Sequence, residues 1–305
     1  MTETSSLSGY HIAIVGGDAR QKEIAHYCQL CGANVYVVGF DQLALTEPGF
    51  TKLDSHELPY EELDAIVFPV SGVGEEGAVR SSFSSKQIEV DIKMFQKLNK
   101  DCVLFSGIQT PWLEQIQQTV VYLMDEDQIA IQNSIPTAEG VLWLLLQHTN
   151  HTIHGSTILV TGFGRIGMTI TRVLKSLGAH VICGSSSKSE KARMIEMGIE
   201  PIDLQRISSC LVKCDAWINT IPSKSVFAED LFNQISHHCL VIELASGPKV
   251  IDQQTADSLG LRYIDAPSLP GLIAPKTAGI ILATSIIERL NTHQNHQHQE
   301  DNHDL

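Results

Sequence analysis

The chain lacks a basic excess. Its 305 residues carry 21 Lys and Arg against 35 Asp and Glu, a formal net charge of −14, and its pI is near 5.3. That balance argues against nucleic acid as a partner. It leaves a small anionic substrate open, because local cations decide that. Long apolar runs are also missing. No stretch reads as the length of a membrane span, and the N-terminus has no basic-then-apolar signal pattern. The expected location is the cytoplasm, with no membrane partner. The seven cysteines, at 28, 31, 102, 183, 210, 214 and 239, make no paired C-x-x-C ligand sets. Cys28-x-x-Cys31 and Cys210-x-x-x-Cys214 fall in apolar helical patterns, so buried reduced thiols are expected and a metal site is not. No Ser/His/Asp set or metal-ligand spacing stands out either.

What is present is clearest between residues 157 and 188. The apolar run Ile158-Leu159-Val160 leads into Gly162-Phe163-Gly164-Arg165-Ile166-Gly167. Ile166, Ile170, Val173, Leu174 and Leu177 then recur at helical spacing, Gly178 ends the helix, and Val181-Ile182-Cys183 reads as a second strand. Strand, G-x-G-x-x-G, helix and strand within one such unit is the context a dinucleotide-binding fingerprint requires. Gly162 suits the sharp turn, Gly164 lets a pyrophosphate approach the backbone, and Gly167 lets the helix pack close to the sheet. The helix start then holds the diphosphate. After the second strand an NAD site wants an acid for the ribose 2′-hydroxyl. Here Gly184-Ser185-Ser186-Ser187-Lys188 stands instead. Hydroxyls and an ammonium at Ser185, Ser186 and Lys188 suit a 2′-phosphate, so the expected cofactor is NADP (NADPH). The plainer alternative is a solvated loop and a surface lysine.

Along the chain, His11–Val15, Val35–Val38, Ala65–Phe68 and Val103–Phe105 read as strands, with helices through Ile24–Leu30, Asp91–Leu98 and Pro111–Gln118. A last strand over Ile129–Ile135 runs into Pro136, placed at the first turn of a connecting helix at 136–150. Later strands fall at Ala216–Asn219, Leu240–Glu243 and Arg262–Ile264, and a final apolar helix at Lys276–Leu290. The expected fold is α/β: two Rossmann-like, doubly wound parallel-sheet domains with an interdomain cleft, like formate/glycerate dehydrogenases. The first domain takes residues 1–135 and is completed by helix 276–290. The nucleotide domain takes 151–275. The polar tail 291–305 reads as disordered.

Candidate substrate groups lie at the strand ends. Arg20 follows a Gly16-Gly17 turn and can fork onto a carboxylate, or sit on the surface. Ser71, Ser106 and Gly107 offer hydroxyl and N–H groups, or plain turn chemistry. Asn133, Ser134 and Thr137 sit where the connecting helix is expected to start, as an anion site or as caps. On the nucleotide side Asn219, Thr220 and Pro222 should lie along the nicotinamide, and Leu269, Pro270 and Gly271 should close over it. The acid/base histidine of 2-hydroxyacid dehydrogenases is not evident. His154, His237 and His238 read as structural. A reaction whose product becomes aromatic fits that absence.

Several longer stretches carry a resemblance. Ile14–Gln21 (IVGGDARQ), Val38–Gln42, Phe105–Gly107, Ile131–Gly140 (IQNSIPTAEG), Thr152–Gly155, Asn219–Pro222 and Leu269–Gly279 (LPGLIAPKTAG) are similar to those of the A subunits of dipicolinate synthases. The resemblance spans roughly residues 9–290. It implies an NADP-dependent oxidation during sporulation, in the mother cell of an endospore former. The substrate is a small dicarboxylate, dihydrodipicolinate or its hydrated 4-hydroxy-tetrahydro form, and the product is dipicolinate. It implies a flavoprotein-like partner, the enzyme's B subunit. A homo-oligomer is expected. Lys276, in the APKTAG stretch, can neutralise a substrate carboxylate or be a surface lysine at a helix start. Two rivals stay open: another NAD(P)-dependent hydroxyacid or amino-acid dehydrogenase, and a non-catalytic, NADP-binding regulatory protein.

Overall fold

Short runs of Val, Ile, Leu and Phe between glycine turns give strands that bury both faces, the pattern of a parallel sheet covered by helices. The computed structural model describes residues 6–44, 49–223, 226–227, 229–245, 247 and 249–301, with side chains left out at 229, 230 and 293–301. Two units result: residues 1–130 together with 274–305, and residues 131–273.

In chain order the first stretch holds β1 (His11–Val15), α1 (Ala19–Leu30), β2 (Asn34–Val38), β3 (Phe50–Leu53), β4 (Ala65–Val67), β5 (Ala78–Val79), β6 (Ile88–Glu89), α2 (Ile92–Phe95), β7 (Val103–Ser106) and β8 (Val120–Tyr122). Then come α3 (Asp127–His148), β9 (Thr157–Thr161), α4 (Arg165–Ser176), β10 (His180–Gly184), α5 (Lys188–Glu196), β11 (Glu200–Ile202), α6 (Ser208–Leu211) and β12 (Ala216–Asn219). The chain continues through β13 (Leu240–Glu243), α7 (Gln253–Ser258), β14 (Arg262–Asp265), α8 (Leu269–Ile273) and α9 (Pro275–Asp301).

In the first unit the sheet runs β3-β2-β1-β4-β7-β8, all parallel, with β5 and β6 as a separate antiparallel ribbon. One face buries Ile12, Ile14, Ile24, Val35 and Val37 with Leu282, Ile286 and Leu290 of α9. The other buries an aromatic group in which Phe95 meets Trp112 edge-on at 5.3 Å between centroids. Helix α9 crosses α1 at Gly279, where an added Cβ would lie 2.6 Å from Glu23 Cβ and 2.8 Å from the Arg20 carbonyl oxygen. Glu126 ties the same helix down: it accepts from Arg289 at 2.6 Å and from Ser285 at 3.0 Å. Tyr10 donates to the Leu290 carbonyl at 3.3 Å.

The second unit repeats the plan as β11-β10-β9-β12-β13-β14, again all parallel. In both sheets the order reverses beside the first strand, at β1/β4 and β9/β12, the switch point where such sheets bind ligands outside the strand carboxyl ends.

The structure changes several expected elements. Ile129–Ile135 is no strand. It belongs to α3, a 22-residue helix with Pro136 inside it. Pro136 removes one N–H, but Ile129, Ala138, Val141, Leu144 and Leu145 are buried along the helix, and their burial outweighs that loss. The boundary between units therefore falls within α3, at Ala130, and not at 135 or 150. By length and composition α3 is also apolar enough to cross a membrane, against the sequence expectation, although 56% of its most apolar window is buried in the protein. The helix expected at Asp91–Leu98 shortens to α2, and Pro111–Gln118 gives only a 3₁₀ turn at Leu113–Gln115. Strands β3, β5, β6, β8 and β11 are additions to the expected set. Helix α9 reaches Asp301, well into the segment expected to be disordered, while 302–305 lie outside the described residues.

Candidate functional site

In the second unit β9 delivers Thr161 and then Gly162, whose φ of +94° belongs to glycine. A Cβ on Gly162 would lie 2.3 Å from Thr220 Oγ1, and one on Gly167 would lie 2.1 Å from the Gly162 carbonyl oxygen. Neighbouring atoms fill both places. Gly164 differs: a Cβ there would meet nothing within 4 Å. It is the N-cap of α4, and no side chain caps that helix end. An open backbone face at an uncapped helix N-terminus is what a dinucleotide pyrophosphate needs, so these residues fit such a cofactor. Phe163 is buried in the core, Ile166 is half-buried, and Arg165 is exposed.

Beside this turn, Asn219 anchors the end of β12. Its Oδ1 accepts from Thr161 Oγ1 at 2.7 Å and from the Ile221 N–H at 3.2 Å. Its Nδ2 donates to Glu243 Oε1 at 2.8 Å and Oε2 at 3.1 Å. Glu243 also accepts from the N–H groups of Ala245 and Val250. Burial pushes its carboxyl above the usual range despite those hydrogen bonds. Thr220 donates to the Thr161 carbonyl at 2.9 Å, and Pro222 is exposed beyond it. The glycine turn and the 219–222 turn are therefore one hydrogen-bonded ledge. The sequence points to Asn219 and Thr220 but marks Glu243 only as a strand residue.

At the end of β10, Ser185 is buried and its hydroxyl donates to the carboxylate of Glu190. The Ser187 N–H donates to Ser185 Oγ at 3.0 Å, and Ser187 caps α5. Ser186 and Lys188 are exposed. The strand end that carries no acid in the sequence thus has one brought back to it from the first turn of the next helix.

Leu269, Pro270 and Gly271, expected to close over the nicotinamide half, start α8, and Leu269 packs into α3 where Gly140 leaves room: a Cβ on Gly140 would sit 2.9 Å from Leu269 Cβ. Asn133, Ser134 and Thr137 are not at a helix start either. Mid-helix, Thr137 Oγ1 donates to the Asn133 carbonyl at 2.7 Å, and Ser134 Oγ donates to the Ile131 carbonyl at 2.6 Å and meets Thr169 Oγ1 at 2.7 Å. Backbone N–H groups in a helix interior are already used, so the helix-start N–H donors expected for an anion are not there. Asn133 Oδ1 is buried without a partner among the described residues.

In the first unit Asp18 caps α1, with Gln21 completing a capping box. Arg20, expected to face a substrate carboxylate, is buried and forks onto Asp18: Nε donates at 3.0 Å and Nη2 at 2.7 Å. Burial raises the Asp18 carboxyl, but the hydrogen bonds and charge of Arg20 outweigh it and hold the group below its ordinary range. Arg80, to which no sequence motif points, is exposed beside the same turn. Its carbonyl accepts from the Gly17 N–H at 2.7 Å, and among the described residues its guanidinium has no ion-pair partner. Ser106 is buried and donates to the Ile108 carbonyl at 2.9 Å. Gly107 packs against Val70, its N–H reaching the Pro69 carbonyl at 3.3 Å. Ser71 and Lys276 are exposed, and Lys276 has no ion-pair partner among the described residues.

Burial raises every resolved thiol, Cys28, Cys102, Cys183 and Cys214 to about 12, so none of these four is a ready nucleophile. All seven cysteines are free.

Comparison with known proteins fits this geometry. Residues 11–125 match the family model described as the N-terminal domain of the dipicolinate synthase A subunit. Residues 133–264 match the NAD-binding domain of D-isomer-specific 2-hydroxyacid dehydrogenases. The A subunit of dipicolinate synthase from Bacillus subtilis (strain 168) is 40% identical over 288 residues, covering 93% of this chain and 97% of that one. The crystal structure of the corresponding Bacillus halodurans protein superimposes with a TM-score of 0.88 at 41% identity, over 93% of this chain and 99% of that chain. A transhydrogenase from Sinorhizobium meliloti shares the fold, with a TM-score of 0.63 at 14% identity over 92% of this chain and 93% of that chain.

Proposed function

The chain belongs to the family of dipicolinate synthase A subunits, and from that premise we propose that it oxidises dihydrodipicolinate, or 4-hydroxy-tetrahydrodipicolinate after dehydration, to dipicolinate. The near full-length likeness carries this reading. It is an oxidoreductase with a nicotinamide-dinucleotide domain, acting in dipicolinate synthesis. When bound, the dinucleotide supplies the hydride acceptor. The residues of the chain align and neutralise. The uncapped start of α4 and the bare face of Gly164 take the pyrophosphate. The Asn219–Thr220 ledge supports the glycine turn that presents that face. Substrate loses a hydride from a ring carbon and a neighbouring proton to water. Aromatisation supplies the driving force, so alignment is the main task.

The dicarboxylate needs cations. Arg20 is already neutralised by Asp18, so we assign the carboxylates to Lys276 and Arg80, with Ser71 as a hydroxyl donor and Arg20 holding the turn. The acceptor has two readings. Exposed Ser186 and Lys188 support NADP⁺. The Glu190 carboxylate at Ser185 supports NAD⁺. We further propose that the chain works in the mother-cell cytoplasm during sporulation, together with the flavoprotein-like B subunit. The test is absorbance of reduced nicotinamide. The purified chain, either dinucleotide and enzymatically generated 4-hydroxy-tetrahydrodipicolinate are mixed with and without that flavoprotein-like partner. Reduction with dipicolinate formation is expected. A chain that binds dinucleotide but reduces none in either mixture would sink the substrate.

A further inference from the structure

We infer that Glu76 is the catalytic base: it takes the ring proton as the hydride leaves, before water does. The inference rests on the reaction proposed above. The first sheet reverses its order between β1 and β4, and such sheets bind ligands outside the strand ends there. The loop that leaves β4 crosses this point and is pinned on both sides. Toward β7, the Gly107 N–H donates to the Pro69 carbonyl at 3.3 Å, and a Cβ on Gly72 would lie 3.3 Å from the Ile108 carbonyl oxygen. Toward β1, the Gly17 N–H donates to the Arg80 carbonyl at 2.7 Å, and the Ser82 N–H donates to the Gly17 carbonyl at 2.8 Å. Between these pins Ser71, Glu75, Glu76 and Arg80 are all exposed.

Glu76 stands apart by its backbone. It is left-handed, at φ 55° and ψ 18°, where glycine sits freely and glutamate at a cost. The turn enforces this. The Gly74 N–H donates to the Ala78 carbonyl at 2.8 Å, and the Val90 N–H donates to the Gly77 carbonyl at 2.9 Å. The same loop uses glycine at its other left-handed positions, Gly72 at φ +74° and Gly77 at φ +83°. Backbone demand alone would select glycine at 76 too, yet a carboxylate stands there. Among the described residues that carboxylate has no hydrogen bond and no ion pair, so no structural contact accounts for it. A negative charge also costs affinity where a dicarboxylate binds. Accepting a proton does account for it, and strain of this kind collects at functional sites. In the step, one ring C–H bond breaks and its electron pair leaves as hydride to the nicotinamide. The neighbouring C–H bond breaks, its pair closes the last ring double bond, and its proton passes to a Glu76 carboxylate oxygen and then to water. Arg80, on the same loop, holds a substrate carboxylate meanwhile.

The test uses the full chain with its flavoprotein-like partner, and reads turnover, dipicolinate binding by calorimetry and melting temperature. Glu76→Gln should lower kcat about a hundredfold or more. It should bind dipicolinate as tightly as wild type or more tightly, because a like charge is gone. Glu76→Gly should melt about 2 °C higher, since the strain is relieved, while losing the same activity. Added formate, which fits where the side chain stood and accepts the proton, should restore that variant at least about tenfold. Glu75→Gln should stay within about twofold of wild type. Glu76→Gln with wild-type kcat overturns the inference, and so does a loss carried by KM together with weaker dipicolinate binding. A Glu76→Gly variant that formate does not restore overturns it as well. In each of these cases the proposed reaction stands. A wild-type chain that forms no dipicolinate sinks the reaction and takes the inference with it.

Discussion

Asn219 gives its side-chain amide to both carboxylate oxygens of Glu243, at 2.8 and 3.1 Å, and each residue is 1% exposed. A buried carboxylate is costly without such donors. Here it fastens the end of β12 to the end of β13 and, through Asn219 Oδ1, to the last residue of β9.

Replacing Glu243 by Gln sets a donor against donors. It should cost about 1–3 kcal/mol, read as a lower denaturant midpoint. The pH dependence has a defined sign. The folded carboxyl titrates above its ordinary value of 4.5, so protonation favours the folded state. The stabilisation from this group is complete below 4.5 and fades as pH rises. The gap between wild type and Glu243→Gln should therefore be widest at and below pH 4.5 and narrow toward neutrality. A gap that widens with pH would contradict the burial argument.

The glycines of the turn should separate folding from binding. Gly167→Ala drives a methyl against the Gly162 carbonyl, 2.1 Å away, and should lower the melting temperature sharply. Gly164→Ala meets nothing within 4 Å, so the fold should keep its melting temperature while dinucleotide affinity drops at least about tenfold. Calorimetry and titration on the two variants distinguish these outcomes.

On the substrate side, Lys276→Gln should raise the KM for the dicarboxylate about tenfold, leaving melting unchanged because the side chain is exposed. Arg20→Ala should instead act on stability. It strands Asp18, at a cost of about 1 kcal/mol, the low end because the Asp18 side chain is 35% exposed. Asp18 titrates below its ordinary 3.8, so its contribution is present above that pH and lost below it. The Arg20→Ala deficit should shrink as pH falls through 3.8. Urea melts at acidic and neutral pH would show it.

Much of the fold can be read from the sequence because its strands are short Val/Ile/Leu runs stopped by glycine. β1, β2, β9 and β10 are legible this way, and so is the family. What escapes has physical causes. β3 (FTKL) and β11 (EPI) are edge strands, half-polar and three or four residues long, and their pairing is fixed by neighbours rather than by their own pattern. Pro136 reads as a helix start because proline favours that place, but burial along α3 carries the helix through it. Arg20 reads as a free cation since nothing in GGDAR says that Asp18 folds back on it. Glu190 reads as an ordinary helix residue because only the fold brings its carboxylate back to Ser185 at the end of β10. A polar composition suggests disorder after 291, yet polar residues are no bar to continuing a helix already nucleated and packed.

The first unit draws on both ends of the chain, residues 1–130 and 274–305. A ribosome making this protein must add about 140 further residues after Ala130 before it reaches α9. At ~5–20 residues per second that is roughly 7–30 s. Through that interval the face of α1 that meets Gly279, and the pocket for Leu282, Ile286 and Leu290, stay open to water. The nucleotide-binding half, contiguous in sequence, has every residue it needs first. Nascent chains are thus at their stickiest in the N-terminal half, which makes that half the natural client of a holding chaperone. A frameshift or early stop after 274 would leave a fragment that never closes.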